Sequence, residues 1–393
     1  MKRALVLSGG GARGAYQIGV WKALRELNIN YDIITGTSVG SLNGAMITQN
    51  SYQMAEDFWN NIDFKFVFGA AFLQEKDLKK NEIIKKYVNA TFFNKGLDVI
   101  ELENNIDKYL DIEKFFSSSI DYGLVTYNLA TRKPMMLTKK DIPKENLKDF
   151  IIASATFYPF FKKKKINDKF YVDGGYYDNL PINFAIEMGA TEIIAVYIGV
   201  FGRLKKVKNK RIPITYIRPK SRLGSPLMFN GALSKRGLQL GFNDTMKIYK
   251  ELEGNYYTFK KGSINKIDDV FSKIPNCLIP NKLNKKNLNN DKFLEAIELL
   301  GWLFNIDESK IYDIEEFNNI LIDKFVKFDK QVKDKQIKIQ NARIFRNRKY
   351  VIRDIYNNIT NKKIGKISRI SSFFPRAILG SIYLSIIFKE KNN

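Results

Sequence analysis

Two strand-to-helix turns punctuated by glycine fill the first fifty residues, and this pattern restricts the fold more than any other feature of the sequence. "RALVLS" leads through "GGGARG" (residues 9–14) into "AYQIGVWKALREL", and "DIITG" leads through Ser38 into "SVGSLNGAMITQ". In the first helical segment Val20, Trp21, Leu24 and Leu27 recur at helical spacing, giving one apolar stripe. Strands alternating with helices predict an α/β fold, a mainly parallel central sheet flanked by helices.

The pattern continues along the chain. "YGLVTYNL" and "KPMMLT" read as paired strands joined by a turn, "ENLKDFIIASAT" as a short helix, and "KKKKINDKFYV" as a hairpin turning at Asn167-Asp168. "TEIIAVYIGV" reads as a buried strand, "RLKKVKNKR" as a solvated loop, and residues 225–252 close the α/β pattern with a long helix. Beyond about residue 262 only helical patterns remain, which predicts a catalytic domain over 1–262 and an all-helical, basic region over 263–393. The apolar segment "FKFVFGAAFLQ" (64–74) reads as a buried connection, with a lid or lipid-facing rim as the alternative.

Composition removes several chemistries. The chain has one cysteine, Cys277, and no histidine, so an internal disulfide, a thiolate cluster and the usual zinc and non-haem iron sites are out of reach; carboxylate-only Mg²⁺ or Ca²⁺ sites stay open, without a Ca²⁺-loop spacing to mark one. Its start is too short in apolar residues for a signal-peptide core, which points to a cytoplasmic or peripheral membrane protein; export by a dedicated secretion system would leave the same start. The formal charge is +24, and half of it falls in residues 331–393, where fifteen Lys and Arg face Asp334, Asp354 and Glu390. An uncharged run from Ala377 to Phe388 is shorter than the ~20 residues a membrane-spanning helix needs. It reads as a packed helix, with an interfacial anchor as the alternative.

"GTSVG" has the spacing of a nucleophile elbow, in which Gly36 and Gly40 leave room for a sharp turn that presents Ser38 at a helix N-terminus. A plain N-cap serine would not need both glycines. "GGGARG" also fits the dinucleotide-binding spacing, but the second strand ends in the serine elbow where that reading requires an acid for the ribose. The other use of such a loop is as an oxyanion site, with Gly10 and Gly11 as amide donors, the Val39 amide beside them, and Arg13 adding charge or fixing the loop. Without histidine, the base for Ser38 must be a carboxylate, a depressed lysine or the lone cysteine. Asp173, in "YVDGGYYDNLP" directly after a strand and before two glycines, is the candidate.

Taken together, "GGGARG", "GTSVG" and "DGGYYDNLP" resemble the patatin-like phospholipase family, over about residues 1–255. The resemblance implies a three-layer α/β/α fold, Ser38 as nucleophile, Asp173 as base, and Gly9, Gly10, Gly11 and Arg13 as the oxyanion and substrate-binding region. "ASAT…P" (Ala153 to Pro159) is similar to a fourth family block, with Tyr158 where a proline is common. The implied reaction cleaves fatty-acyl esters of phospholipids or lysophospholipids through an acyl-enzyme, with no metal or cofactor and with peripheral contact to an anionic membrane. "KKKK" (162–165) would favour anionic head groups at the pocket mouth or form a solvated hairpin tip. The alternative is a basic membrane- or nucleic-acid-binding protein with a vestigial site, although no nucleic-acid-binding motif accompanies the charge.

Overall fold

In the computed structural model, residues 2–69, 96–199, 202–265, 290–334, 347–361 and 375–392 are described. Cys277, residues 70–74 of the apolar segment, and parts of the basic tail (335–346 and 362–374) lie outside them. The chain divides into two compact units, Met1–Thr245 and Met246–Asn393.

The first unit is built on an eight-stranded, mainly parallel sheet. β1 (Arg3–Leu7), β2 (Ile33–Thr37), β3 (Asp121–Asn128), β7 (Glu192–Val196) and β8 (Ile214–Ile217) run parallel; β4 (Lys133–Thr138) and β6 (Lys169–Asp173) pair antiparallel with β3, and β5 (Lys164–Ile166) with β6. β1, at the centre, is buried from Ala4 to Leu7 between β2 and β7. The helices α1 (Ala15–Glu26) and α2 (Val39–Thr48) follow the two glycine turns as the alternation requires, and α2 is buried along its whole length. β8 carries no strong apolar run and was not legible in the sequence.

Glycines set the closest approaches. A Cβ on Gly19 of α1 would stand 1.8 Å from the Leu238 carbonyl oxygen, and one on Gly241 would stand 2.0 Å from that of Tyr16, so α1 and the helix Gly231–Ile248 touch backbone to backbone. Across that contact the Tyr16 hydroxyl donates to Asp244 at 2.9 Å, and burial holds the phenol well above its usual pKa.

β3 is the template for the site. β2 pairs with its first half, ending at Thr37 opposite Val125, and β6 pairs with its second half, ending at Asp173 opposite Thr126. β4 occupies Gly123–Asn128 of β3, so β2 and β6 share the other edge and run head to head. The last residue of one strand therefore meets the last residue of the other.

Among its described residues the second unit is helical apart from a small sheet of β9 (Leu252–Glu253), β10 (Thr258–Lys260) and β11 (Ile311–Tyr312) and the connecting turns. β10 pairs with β11, which draws residues 246–262, assigned by sequence to the first domain, into this unit. Glu298 fastens the segment by accepting the N–H groups of Asn255, Tyr256 and Tyr257 at 2.8, 2.8 and 3.1 Å. The helices Asn290–Leu303, Ile314–Asp334, Arg348–Thr360 and Pro375–Asn392 bury Phe293, Phe317, Phe325, Ile352 and Tyr383 in one core. In that core the apolar run near the terminus contributes Ile378, Leu379, Ile382 and Leu384, as expected of a packed helix. Among the described residues no helix is long and apolar enough to cross a membrane.

Candidate active site

Ser38 follows β2 directly and adopts φ 57° and ψ −131°, a conformation that L-residues rarely hold and that functional turns retain at a cost of about 1–3 kcal/mol. The flanking glycines make it possible: a Cβ on Gly36 would lie 2.2 Å from the Gly40 carbonyl oxygen, and one on Gly40 would lie 2.4 Å from that of Leu7. The Ser38 N–H donates to the Ser154 hydroxyl oxygen at 2.9 Å, and the Ser154 hydroxyl donates to the Val125 carbonyl at 2.7 Å. Ser154 thereby clamps the elbow to β3, a role the sequence did not reveal although "ASAT" had been singled out.

Asp173 accepts the Gly175 N–H at 2.7 Å and lies beside Ser38, whose hydroxyl acts to lower its pKa. Asp173 is 4% exposed, and burial raises its pKa to about 6 even though the Ser38 hydroxyl and the Gly175 N–H work in the opposite direction. Desolvation outweighs hydrogen bonding, which leaves the carboxylate a stronger base than an exposed aspartate. Asp178, on the same turn, is also raised to about 6 by burial; its backbone carbonyl accepts the Thr37 hydroxyl at 2.8 Å.

The glycine-rich loop divides its groups between structure and the cavity. The Gly9 N–H donates to the Asn179 carbonyl at 3.1 Å, so Gly9 is committed to packing, and a Cβ there would lie 2.3 Å from Asn179 Oδ1. Gly10 and Gly11 line the cavity with Ser38 and Asp173, and among the described residues their N–H groups have no acceptor. Arg13 is directed elsewhere: Nε donates to the Gly224 carbonyl at 2.9 Å, and Nη1 to the Ile198 carbonyl at 3.3 Å and to that of Gly199. It straps loops together, and of its two expected roles the geometry is that of fixing the loop. Beneath the loop, Gln17 donates to the Ser8 carbonyl at 2.7 Å, while Asn43 donates to Gln17 at 2.8 Å and accepts from Trp59 at 2.9 Å.

Ser38 and Asp173 open into a cavity of about 610 Å³, within the usual size range of small-ligand sites. Phe157, Phe160, Phe161, Leu227 and Phe229 form its apolar wall. Phe157 stacks on Phe160, and Phe68 lies 6.0 Å ring to ring from both Phe161 and Phe229, so the described part of the apolar 64–74 segment packs behind this wall. Asn179 also lines the cavity, 2% exposed, and its Nδ2 has no hydrogen-bond partner among the described residues. Asn179 lies within "DGGYYDNLP", but nothing local marks it as different from a turn residue.

The lysine run at 162–165 is largely paired. Lys162 bonds Asp98, Lys164 bonds Glu103 and Asp149, and Lys165 bonds Asp168, while Lys163 stands over the rings of Tyr158 and Phe170. Among the described residues no group of His, Cys, Asp and Glu is arranged to hold a metal ion.

Residues 5–186 match the family model described as patatin-like phospholipase. The chain is 30% identical over 202 residues to lysophospholipase NTE1 of Candida albicans, which covers 50% of this chain and 13% of that protein. It is 30% identical over 205 residues to patatin-like phospholipase domain-containing protein 7 of Rattus norvegicus, again 50% of this chain and 13% of the relative. The match thus spans about an eighth of these relatives' length. The crystal structure of VipD from Legionella pneumophila superposes with a TM-score of 0.38 at 12% identity over 98% of this chain and 91% of that one, a likeness that adds nothing to the fold described above.

Proposed function

From the match of residues 5–186 to the patatin-like phospholipase model, we propose that the protein is a serine lipid acyl hydrolase that cleaves fatty-acyl esters of phospholipids or lysophospholipids. The observation that carries the proposal is that Ser38, on its strained turn, and the buried Asp173 line one apolar cavity together, with the Ser38 hydroxyl close enough to act on the Asp173 carboxyl. Two relatives matched over this stretch are named as a lysophospholipase and a phospholipase-domain protein.

In this reading the acyl chain lies along Phe157, Phe160, Phe161 and Phe229, and the ester carbonyl stands over Ser38. Ser38 Oγ attacks the carbonyl carbon as its proton passes to Asp173. The carbonyl oxygen becomes an oxyanion held by the Gly10 and Gly11 N–H groups, with the Val39 N–H at the helix N-terminus beside them. The C–O bond then breaks, Asp173 returns the proton to the departing alcohol, and an acyl-Ser38 ester remains. Water repeats the sequence: Asp173 takes its proton, the hydroxyl adds to the acyl carbon, and the fatty acid leaves as Ser38 regains its hydrogen. A carboxylate is a weak base for a hydroxyl in water, so burial of both groups is part of the chemistry rather than an accident of packing.

The test is ester hydrolysis by wild type, Ser38→Ala and Asp173→Asn, together with labelling by a fluorophosphonate. Turnover should fall at least about a thousandfold in both variants, on the scale of losing a nucleophile or its base, and the label should sit on Ser38. Wild-type turnover in both variants would remove the dyad and leave the alternative, a basic binding protein.

A further inference from the structure

We infer that a groove beside the acyl cavity is a head-group site that recognises the phosphate of a phosphate-bearing acyl ester. This rests on the hydrolase reading above, since it places the scissile ester at Ser38.

The groove has a volume of about 600 Å³, and Tyr176 and Arg203 belong to its wall and to that of the acyl cavity. Arg203 is fixed on the turn that carries Asp173: its N–H donates to the Gly175 carbonyl at 2.9 Å, and its carbonyl accepts the Asn179 N–H at 2.7 Å. Arg132 lines the same groove from the tip of the β3–β4 hairpin, in a left-handed conformation with φ 53°, its carbonyl accepting the Tyr127 hydroxyl at 2.7 Å. Among the described residues no ion pair ties either guanidinium to a carboxylate. The carboxylates of this region, Asp173 and Asp178, are buried, and Asp178 takes the backbone N–H of Lys205.

Two further cations stand over two of the groove's four tyrosine rings. Lys205 Nζ stands 3.7 Å from the centre of the Tyr177 ring and Lys163 Nζ 5.0 Å from that of Tyr158, and both rings line the groove. With ammonium groups already over two of the groove's four tyrosine rings and Arg132 and Arg203 in its wall, the charge there is positive, which favours an anion over a quaternary ammonium. Guanidinium forks match the oxygens of a phosphate in a bidentate manner. In a glycerophospholipid only a handful of bonds separate ester carbonyl from phosphorus. An ester placed at Ser38 therefore brings the phosphate to the wall that Tyr176 and Arg203 share.

The experiment compares kcat/KM for lysophosphatidylglycerol and for a monoacylglycerol of the same chain, in the full-length wild type, Arg132→Gln, Arg203→Gln and the double variant. The ratio should favour the phosphate ester in the wild type and fall about tenfold or more in the double variant, the scale of losing charge-assisted hydrogen bonds, with partial recovery in the double lysine variant. Lysophosphatidylcholine should be a poorer substrate than lysophosphatidylglycerol. A ratio that is unchanged in the double variant, with its folding verified by circular dichroism, overturns the site. A second arm measures sn-glycerol 3-phosphate binding to Ser38→Ala. Arginine-dependent binding there, with no ester turned over by wild type, retains the phosphate site and rejects the hydrolase; inorganic phosphate binding equally well overturns the assignment to a head group.

Discussion

Asp173→Asn should make the first unit more stable at neutral pH while abolishing ester hydrolysis. Burial raises the Asp173 pKa from 3.8 to about 6, and each pH unit corresponds to about 1.4 kcal/mol, so the ionised carboxylate costs the fold about 3 kcal/mol at pH 7. The sign follows from proton binding. Between pH 3.8 and about 6 the folded state holds a proton that the unfolded state has released, so stability falls as pH rises through that window and the full cost stands above it. Asparagine carries no charge, still accepts the Gly175 N–H through Oδ1, and turns Nδ2 towards Ser38 Oγ. The expected gain is about 1–3 kcal/mol at pH 7.5, shrinking to nothing below about pH 4. Two of the three tryptophans, Trp21 and Trp59, are buried in this unit and Trp302 is exposed in the other, so fluorescence-detected urea unfolding in a Trp302→Phe background reports the first unit alone. A gain of equal size at pH 4 and pH 7.5, or none at either, would refute the argument that desolvation of the carboxylate dominates.

Hydrolysis should depend on pH in the complementary direction: kcat/KM rises through about pH 6 as Asp173 ionises and levels off above, and Asp178→Asn, whose carboxyl also lies near 6, leaves that limb in place. Ser38→Gly should be more stable than Ser38→Ala by about 1 kcal/mol, because φ 57° with ψ −131° strains every residue with a Cβ, and chemical denaturation measures the difference. Gly241→Ala should destabilise the first unit by at least about 1–3 kcal/mol, read from its urea midpoint, since a Cβ 2.0 Å from the Tyr16 carbonyl oxygen outweighs the ~1 kcal/mol helix-propensity gain. Glu298→Ala strands three amides and should lower the second unit's stability by several kcal/mol, visible as lost hydrogen-exchange protection at Asn255, Tyr256 and Tyr257.

What could be read from the sequence was local. Strand, glycine turn and helix follow one another within a few residues, so β1, α1, β2 and α2 were legible from spacing, as was the elbow, whose glycines answer clashes within the same turn. The hairpin at Asn167-Asp168, both with positive φ, belongs to the same class, and so does the packed apolar run near the terminus. The absence of histidine is a property of the whole composition and directed attention to a carboxylate before any contact was known.

Other features depend on groups far apart in the chain. Asp173 meets Ser38 because β2 ends opposite Val125 and β6 opposite Thr126, a register of β3 that no local signal specifies. Distant carbonyls at Ile198, Gly199 and Gly224 decide that Arg13 straps loops, and carboxylates at Asp98, Glu103 and Asp149 absorb most of the charge that "KKKK" displays in sequence. Asn179 and Ser154 look ordinary as letters and acquire their places only from what packs around them. The sequence by itself determined which serine sits on a glycine-flanked turn and which residue types could serve the base proposed for it, because turn sterics and residue chemistry act over short range. Tertiary structure alone decided which carboxylate lies beside that serine and how far burial raises its pKa, because strand register and desolvation are set by the whole folded sheet.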